Sequence, residues 1–160
     1  MKDQKIGIMG GTFNPIHYGH LLLAQAALES LSLDKILFMP SGNSYMKEAS
    51  RILSGELRGQ MVRLALKENP DFIFSDLELQ RQGPTYTCDT LAALRAQNPQ
   101  SRYYFILGED NLLTIKQWKN PDFILKNCVI AGAVRESDNT SRILDAARLL
   151  EKEYQADIRI

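Results

Sequence analysis

The chain predicts an α/β protein built on a doubly wound parallel sheet with helices on both faces. Two observations carry this. Short apolar runs alternate with segments of helical periodicity along the 160 residues, the pattern of strands joined by helical crossovers. The runs Tyr103-Tyr104-Phe105-Ile106-Leu107 and Cys128-Val129-Ile130-Ala131-Gly132-Ala133-Val134 are apolar throughout instead of alternating, as in strands covered on both faces.

The elements follow in order. A first strand spans Lys5 to Met9 and a helix spans Tyr18 to Ser30. A second strand, Lys35 to Met39, stops at Pro40, and a loop of small and polar residues runs to Leu53. Ser54 opens a helix whose apolar face is predicted as Leu57, Met61, Leu64 and Ala65, ended by Asn69-Pro70. Phe72 to Ser75 forms a short strand, with a further extended piece over Asp76 to Leu79, then a turn at Gln82-Gly83-Pro84. Thr87 to Ala96 reads as a helix with Asp89 in its first turn and Leu91, Ala92 and Leu94 along a buried stripe; Asn98-Pro99 ends it. The buried strand to Leu107 ends at Gly108 and is followed by a short helix from Leu112 to Gln117. After the Cys128 to Val134 strand come a helix over Arg142 to Glu153 and a last strand over Ala156 to Ile160. The expected architecture is Rossmann-like, and ligands of such sheets sit beyond the carboxyl ends of the strands. The loops expected to carry function are therefore Gly10 to His20, Pro40 to Leu53, Gly108 to Trp118 and Arg135 to Ser141.

Composition narrows the function classes. Nineteen basic and nineteen acidic residues cancel, so no basic field exists to hold a nucleic-acid backbone. No apolar stretch approaches the ~20 residues of a membrane span, and residues 1–5 lead into a strand instead of a signal-peptide core. Cys88 and Cys128 are too few for a disulfide framework and lack metal-ligand spacing. They read as packed residues of a reducing, cytoplasmic compartment. The length fits one domain over 1–160. The sequence leaves homo-oligomerisation open.

The most informative stretch is Gly10-Gly11-Thr12-Phe13-Asn14-Pro15-Ile16-His17-Tyr18-Gly19-His20. It joins a strand to a helix start, where unpaired N–H groups and the helix dipole favour an anion. The glycines allow close backbone approach. The chain's two histidines both lie here, spaced i, i+3, so both imidazoles share one face of the first turn and can donate to phosphate oxygens. No Gly-x-Gly-x-x-Gly follows the first strand, which removes a dinucleotide-binding dehydrogenase from consideration.

These residues resemble the signature of the nucleotidyltransferase superfamily, His17-Tyr18-Gly19-His20 matching its His-x-Gly-His form. Arg58-Gly59-Gln60-Met61 with Leu64-Ala65 resembles the Arg-x-x-Met-x-x-Leu-Ala helix of bacterial nicotinate-nucleotide adenylyltransferases. Gly83-Pro84-Thr85-Tyr86-Thr87-Cys88-Asp89-Thr90-Leu91 is similar to their Gly-x-[Ser/Thr]-Tyr-Thr-x-Asp-Thr-Leu segment. Phe105-Ile106-Leu107-Gly108-Glu109-Asp110, with Trp118 beyond, resembles their Phe-Ile-x-Gly-x-Asp…Trp block. The likeness runs from Lys5 to about Arg135.

The resemblance implies adenylyl transfer from ATP to nicotinate mononucleotide, giving deamido-NAD and pyrophosphate. His17, His20 and Lys47 would act on the phosphates. Gly10, Gly11, Thr12, Phe13, Gly108, Asp110 and Arg135 would bind ATP. Thr85, Tyr86 and Thr87 would frame the nicotinate ring, and Trp118 would stack on it. Mg²⁺ is implied as a partner of ATP, with no dedicated protein metal cage. Asp110 also reads as a helix N-cap beside Asn111. The chain departs from the family pattern in two places. The family's Pro-Pro-His-Lys occurs in the loop after the second strand, which reads Pro40-Ser41-Gly42-Asn43-Ser44-Tyr45-Met46-Lys47 here, keeping the lysine at Lys47 with Met46 before it and without the histidine. The family's Ile-Ser-Ser-Thr-x-Ile-Arg element has no counterpart before Ile160, and Arg159 lies in the last strand. The expectation is a domain short at its C-terminus, either a piece of a longer chain or a protein lacking part of the ATP site, with weak or absent transfer by these 160 residues. Two other readings stand beside it. A pantetheine-phosphate adenylyltransferase would have threonine in place of His17 and no Tyr86-Thr87-x-Asp89-Thr90 segment. A non-catalytic nucleotide-binding relative would have no need of two imidazoles at a helix start.

Overall fold

The computed structural model describes residues 3–42, 51–134 and 140–160. Six strands form one parallel sheet: β1 (Lys5–Gly11), β2 (Lys35–Pro40), β3 (Phe72–Phe74), β4 (Arg102–Gly108), β5 (Val129–Ala133) and β6 (Asp157–Arg159). Their order is β3-β2-β1-β4-β5-β6. The chain winds outward from β1 one way and then, from β4, the other. The β1/β4 boundary is thus the topological switch point, where the loops leaving neighbouring strands diverge and open a crevice.

Both sheet faces are buried, which is why the strand sequences are apolar without alternation. On one face Ile6, Ile8, Tyr103, Phe105, Leu107 and Ile130 share a cluster with Leu91, Leu94, Ile124, Ile143 and Leu150. These last come from α3 (Thr87–Gln97), α5 (Pro121–Asn127) and α6 (Thr140–Tyr154). On the other face Met9, Ile36, Phe38, Tyr104 and Ile106 pack with Ala24, Ala27, Val62 and Leu66, from α1 (Tyr18–Ser30) and α2 (Gly55–Leu66). A short helix, α4 (Glu109–Thr114), and a 3₁₀ turn over Ile115–Gln117 follow β4 directly. No helix among the described residues is long and apolar enough to cross a membrane.

The structure corrects four local expectations. The buried face of α2 is Arg58, Gly59, Val62 and Leu66, while Leu57 and Leu64 are 50% and 73% exposed. The cause is Arg58, whose guanidinium reaches carbonyls in two other loops and turns that face inward. Gly59 completes the approach: a Cβ there would already press on Leu79 and Phe74 at 3.3 and 3.4 Å. Ala92 is exposed on α3 beside the buried Leu91 and Leu94. Asp76 to Leu79 is a turn instead of a strand, closed by Gln80 N–H donating to the Asp76 carbonyl at 3.0 Å. The short helix after β4 begins at Glu109, with Gly108 as its N-cap, so Asp110 lies in the first turn and is not the cap. The sequence reading also passed over α5, which starts on Asn120-Pro121: the Asn120 side chain accepts from Phe123 N–H, and proline occupies the first helical position.

Candidate functional site

A cavity of about 240 Å³ opens at the switch point. One wall is the end of β1 and its loop, Gly10, Gly11 and Thr12, with Ser41 just past β2. The opposite wall is Thr85, Tyr86 and Thr87; Phe105 and Leu107 of β4 form the floor, and Asn111, Trp118 and Lys119 close the far side. Glu78 completes the lining. A larger, mainly apolar groove of about 560 Å³ lies between α1 and the β5–β6 edge. It holds neither histidine nor any residue of the 85–87 wall.

Glycine at positions 10 and 11 is not demanded by packing. An added Cβ would meet only the Phe105 ring or the Phe13 ring, each at 3.6 Å, ordinary van der Waals distance. Both glycines line the cavity, so the bare backbone leaves room there for a ligand.

The two loops of the first wall are pinned by Arg58, which is 3% exposed. Its Nη1 donates to the carbonyls of Thr12 and Ser41, both at 2.8 Å, and its Nε donates to the Leu53 carbonyl at 2.9 Å. Burial lowers the guanidinium pKa from its ordinary value, the cost of holding a cation where three carbonyl dipoles must stand in for water. The Asn14 side chain adds a second tie: its Nδ2 donates to the Arg51 carbonyl and its Oδ1 accepts from Leu53 N–H, both at 3.0 Å.

His17 and His20 stand at the start of α1, His17 being its N-cap. The His17 N–H donates to His20 Nδ1 at 3.2 Å. In a neutral imidazole that acceptor role puts the proton on Nε2, the nitrogen remote from the backbone. The two rings stack at 3.8 Å, and the edge of Phe13 meets His20 at 5.0 Å. Neither histidine lines the cavity itself; they stand at the helix start that follows its Gly10–Thr12 wall. Phe13 is 2% exposed and packs in the core, so only its backbone is available for an ATP-binding role.

Thr85, Tyr86 and Thr87 form the N-terminal end of α3, with Tyr86 as N-cap. Tyr86 and Thr87 line the cavity, so this helix N-terminus, whose first N–H groups have no intrahelical partner, meets it. Behind this wall Thr90, 1% exposed, donates its hydroxyl to Glu78 Oε1 at 2.7 Å and accepts from Arg81 Nη1 at 2.9 Å. Burial pushes the Glu78 carboxyl above its usual range, against the opposing pull of the Thr90 hydrogen bond, the Arg81 charge and a Thr85 hydrogen bond. On the rim, Lys119 Nζ pairs with Asp89 Oδ2 at 3.0 Å and lies 4.4 Å from the centre of the Tyr86 ring. Asp89 is held below the ordinary carboxylate range by that bond. The contact joins the loop carrying Trp118 to the helix carrying Thr85–Thr87.

The structure therefore gathers Gly10, Gly11, Thr12, Thr85, Tyr86, Thr87 and Trp118 around one cavity, with His17 and His20 adjoining. Gly108 and Asp110 lie at the carboxyl end of β4 and in the first turn of α4, at the same end of the sheet but outside the lining. Lys47 and Arg135 fall outside the described residues. Sequence reasoning missed Ser41, Glu78, Asn111 and Lys119. For Lys119 there was a local signal, its place beside Trp118; the others depend on contacts between distant segments. Among the described residues no cluster of three or more His, Cys, Asp or Glu side chains is arranged to hold a metal ion.

Comparison with known proteins matches residues 8–158 to the cytidylyltransferase-like family. A probable nicotinate-nucleotide adenylyltransferase of Lachnoclostridium phytofermentans is 41% identical over 157 residues, 98% of this chain and 78% of that protein. Its counterpart in Moorella thermoacetica is also 41% identical, over 98% of this chain and 72% of the relative. Among solved structures, Plasmodium falciparum nicotinic acid mononucleotide adenylyltransferase complexed with NaAD superposes with a TM-score of 0.74 at 21% identity. That match covers 89% of this chain and 71% of the other, and it establishes the shared fold.

Proposed function

This chain belongs to the cytidylyltransferase-like family and, within it, to the nicotinate-nucleotide adenylyltransferases, and from that membership we propose how its site binds and joins two nucleotides. It is a nucleotidyltransferase of NAD biosynthesis. The acceptor is nicotinate mononucleotide and the donor Mg·ATP, with the metal arriving on the phosphates of the substrate. The two buried, unpaired cysteines suit a reducing cytoplasm.

The observation that carries the reading is the switch-point cavity, walled on one side by the Gly10–Thr12 loop that leads to the start of α1 and on the other by the N-terminal end of α3, with an indole at its side. Each helix end favours negative charge. The α1 end, with the imidazoles of His17 and His20, suits a triphosphate. The α3 end, with Thr85–Thr87 and Trp118, suits an aromatic ring bearing a carboxylate. The acceptor's phosphate oxygen attacks the α-phosphorus of ATP in line, and pyrophosphate leaves. No covalent intermediate on the protein is needed. The chain's task is to align two polyanions and offset their charge, and the His20 Nε2–H is a donor suited to the charge that builds on the phosphates.

Calorimetric titration of the chain with nicotinate mononucleotide, and separately with Mg·ATP, tests this. The expected result is saturable binding of the acceptor. No acceptor binding would return the assignment to the family level alone.

A further inference from the structure

The apolar stripe of α2 that the sequence marks, with Leu57, Met61 and Leu64 along it, takes no part in the core. The helix buries Arg58, Gly59, Val62 and Leu66 instead. It therefore carries apolar side chains on two adjoining faces, and a helix of that kind is ordinarily covered on both. The second face looks toward α1. On the far flank Arg63 lies over the Phe74 ring of β3, 3.8 Å from its centre, while Leu57, Met61 and Leu64 project on the other flank at helical spacing. Both helices cover the same sheet face, and β2 stands between β1 and β3, so α1 is the neighbour on that flank. Two ties fix the pair side by side. Asn69 Nδ2 donates to Gln25 Oε1 at 3.3 Å near their C-terminal ends, and Asn14 accepts from Leu53 N–H near their N-terminal ends. Tyr18 and Leu22 share the stripe of Gln25 along α1 and are 83% and 69% exposed. With Leu57 and Leu64 they form one apolar surface across two helices, open to solvent among the described residues.

Size, pattern and charge point to one occupant. The exposed apolar side chains present on the order of 500 Å², at the upper end of the patches that monomeric proteins show. Homodimer interfaces are about 65% apolar, so an apolar centre of this size belongs to a contact of about 800 Å² a side, the area of a standard stable interface. The stripe is also close to palindromic, with Met61 between two leucines. An antiparallel α2 related by a two-fold axis sets Leu57 of one copy against Leu64 of the other and brings the two Met61 side chains together, a self-complementary contact of the commonest kind. Charge agrees with that direction. Glu56 stands in the first turn and Lys67 at the C-cap, and their spacing puts both on one flank of the stripe. An antiparallel pair brings Glu56 of each copy toward Lys67 of the other, whereas a parallel pair sets like charges together.

We propose that the outer face of α1 and α2 is a homodimer interface, in which two copies of this chain pack antiparallel through Leu57, Met61 and Leu64 with Tyr18 and Leu22 beside them. The test is sedimentation velocity of the chain from about 1 to 100 µM, the weak end of the affinities that standard-size interfaces show. The expected result is a monomer that gives way to a dimer as concentration rises. Leu64→Glu puts a charge into the contact twice per dimer and should raise the dissociation constant at least about a hundredfold. Its secondary structure should be unchanged, because Leu64 packs against no core residue of its own copy. Charge reversal tests the direction without touching an apolar residue. Lys67→Glu should weaken the dimer, and adding Glu56→Lys to it should restore the parent's dissociation constant. A parent chain that remains monomeric at the highest concentration would overturn the inference and leave the face to a different partner. A dimer unmoved by Leu64→Glu would overturn it by placing the contact elsewhere, and a double reversal no tighter than Lys67→Glu alone would overturn the antiparallel arrangement.

Discussion

Replacing Arg58 with leucine removes three hydrogen bonds at once, to Thr12, Ser41 and Leu53, and strands their carbonyl oxygens between the β1 and β2 loops. A bond from a charged donor contributes roughly 1.5–3 kcal/mol, and breaking a buried charged contact from one side costs about 3–5 kcal/mol. Part of that is returned because no guanidinium has to be desolvated. A net loss of about 3–4 kcal/mol is expected. That is a large share of the ~5–15 kcal/mol that holds a typical domain together. For a chain of this size it lowers the melting temperature by roughly 6–16 °C, at about 2–4 °C per kcal/mol. Urea unfolding read by circular dichroism measures it directly. Arg58→Lys should also destabilise, because one ammonium on a flexible stem cannot reproduce a fork that reaches three carbonyls. Both variants should bind nicotinate mononucleotide and Mg·ATP more weakly, since Thr12 and Ser41 line the cavity. A stability change in Arg58→Leu within about 0.5 kcal/mol, the span of ordinary surface substitutions, would refute the view that this side chain pins the site.

Three further outcomes separate binding from scaffolding. His20→Ala should lower turnover, followed as pyrophosphate release, by about 10²–10³-fold as a charge-stabilising donor is lost. It should cost only about 1 kcal/mol of stability for the lost acceptor at the α1 start; an unchanged rate would remove His20 from the chemistry. Trp118→Ala should raise the acceptor KM more than the ATP KM, and equal rises would make Trp118 structural. For Glu78 the sign is set by burial, which raises its carboxyl in the folded chain. The folded state therefore holds this proton more tightly than the unfolded state, and the stabilisation is complete below the ordinary carboxylate range and lost as pH rises through the raised folded value. Glu78→Gln escapes that loss, so its unfolding midpoint should gain on the parent's from acid to neutral pH, and a pH-independent difference would sink the assignment.

The sequence made local order legible and long-range order much less so. The predicted bounds of α1, Tyr18 to Ser30, are those observed, because the turn before it and the apolar run within it are both local signals. The apolar strands were readable for the same reason, but their order was not: pairing β1 with β4 joins residues almost a hundred positions apart, as Lys5 with Arg102. The dipeptide Asn-Pro shows how a local signal can be ambiguous. It follows α2 and α3, yet Asn120-Pro121 opens α5. Proline is tolerated in a first helical turn and excluded from an interior, so what precedes it decides.

The same division runs through the site. The residues proposed to touch a ligand lie in short motifs at element ends, as His17-Tyr18-Gly19-His20 and Thr85-Tyr86-Thr87 do, and these the sequence offered directly. Residues that hold those motifs in relation to one another lie elsewhere in the chain. Arg58 reaches back 46 residues to Thr12, and Glu78 and Thr90 meet across 12. No periodicity marks them. Apolar counting on α2 even pointed to the wrong face, because one buried guanidinium with three carbonyl partners outweighs the burial of two leucines that remain half exposed or more. A motif therefore reports the chemistry a site can attempt, while the alignment of that chemistry rests on charged and polar side chains whose importance appears only once the loops they join are seen together.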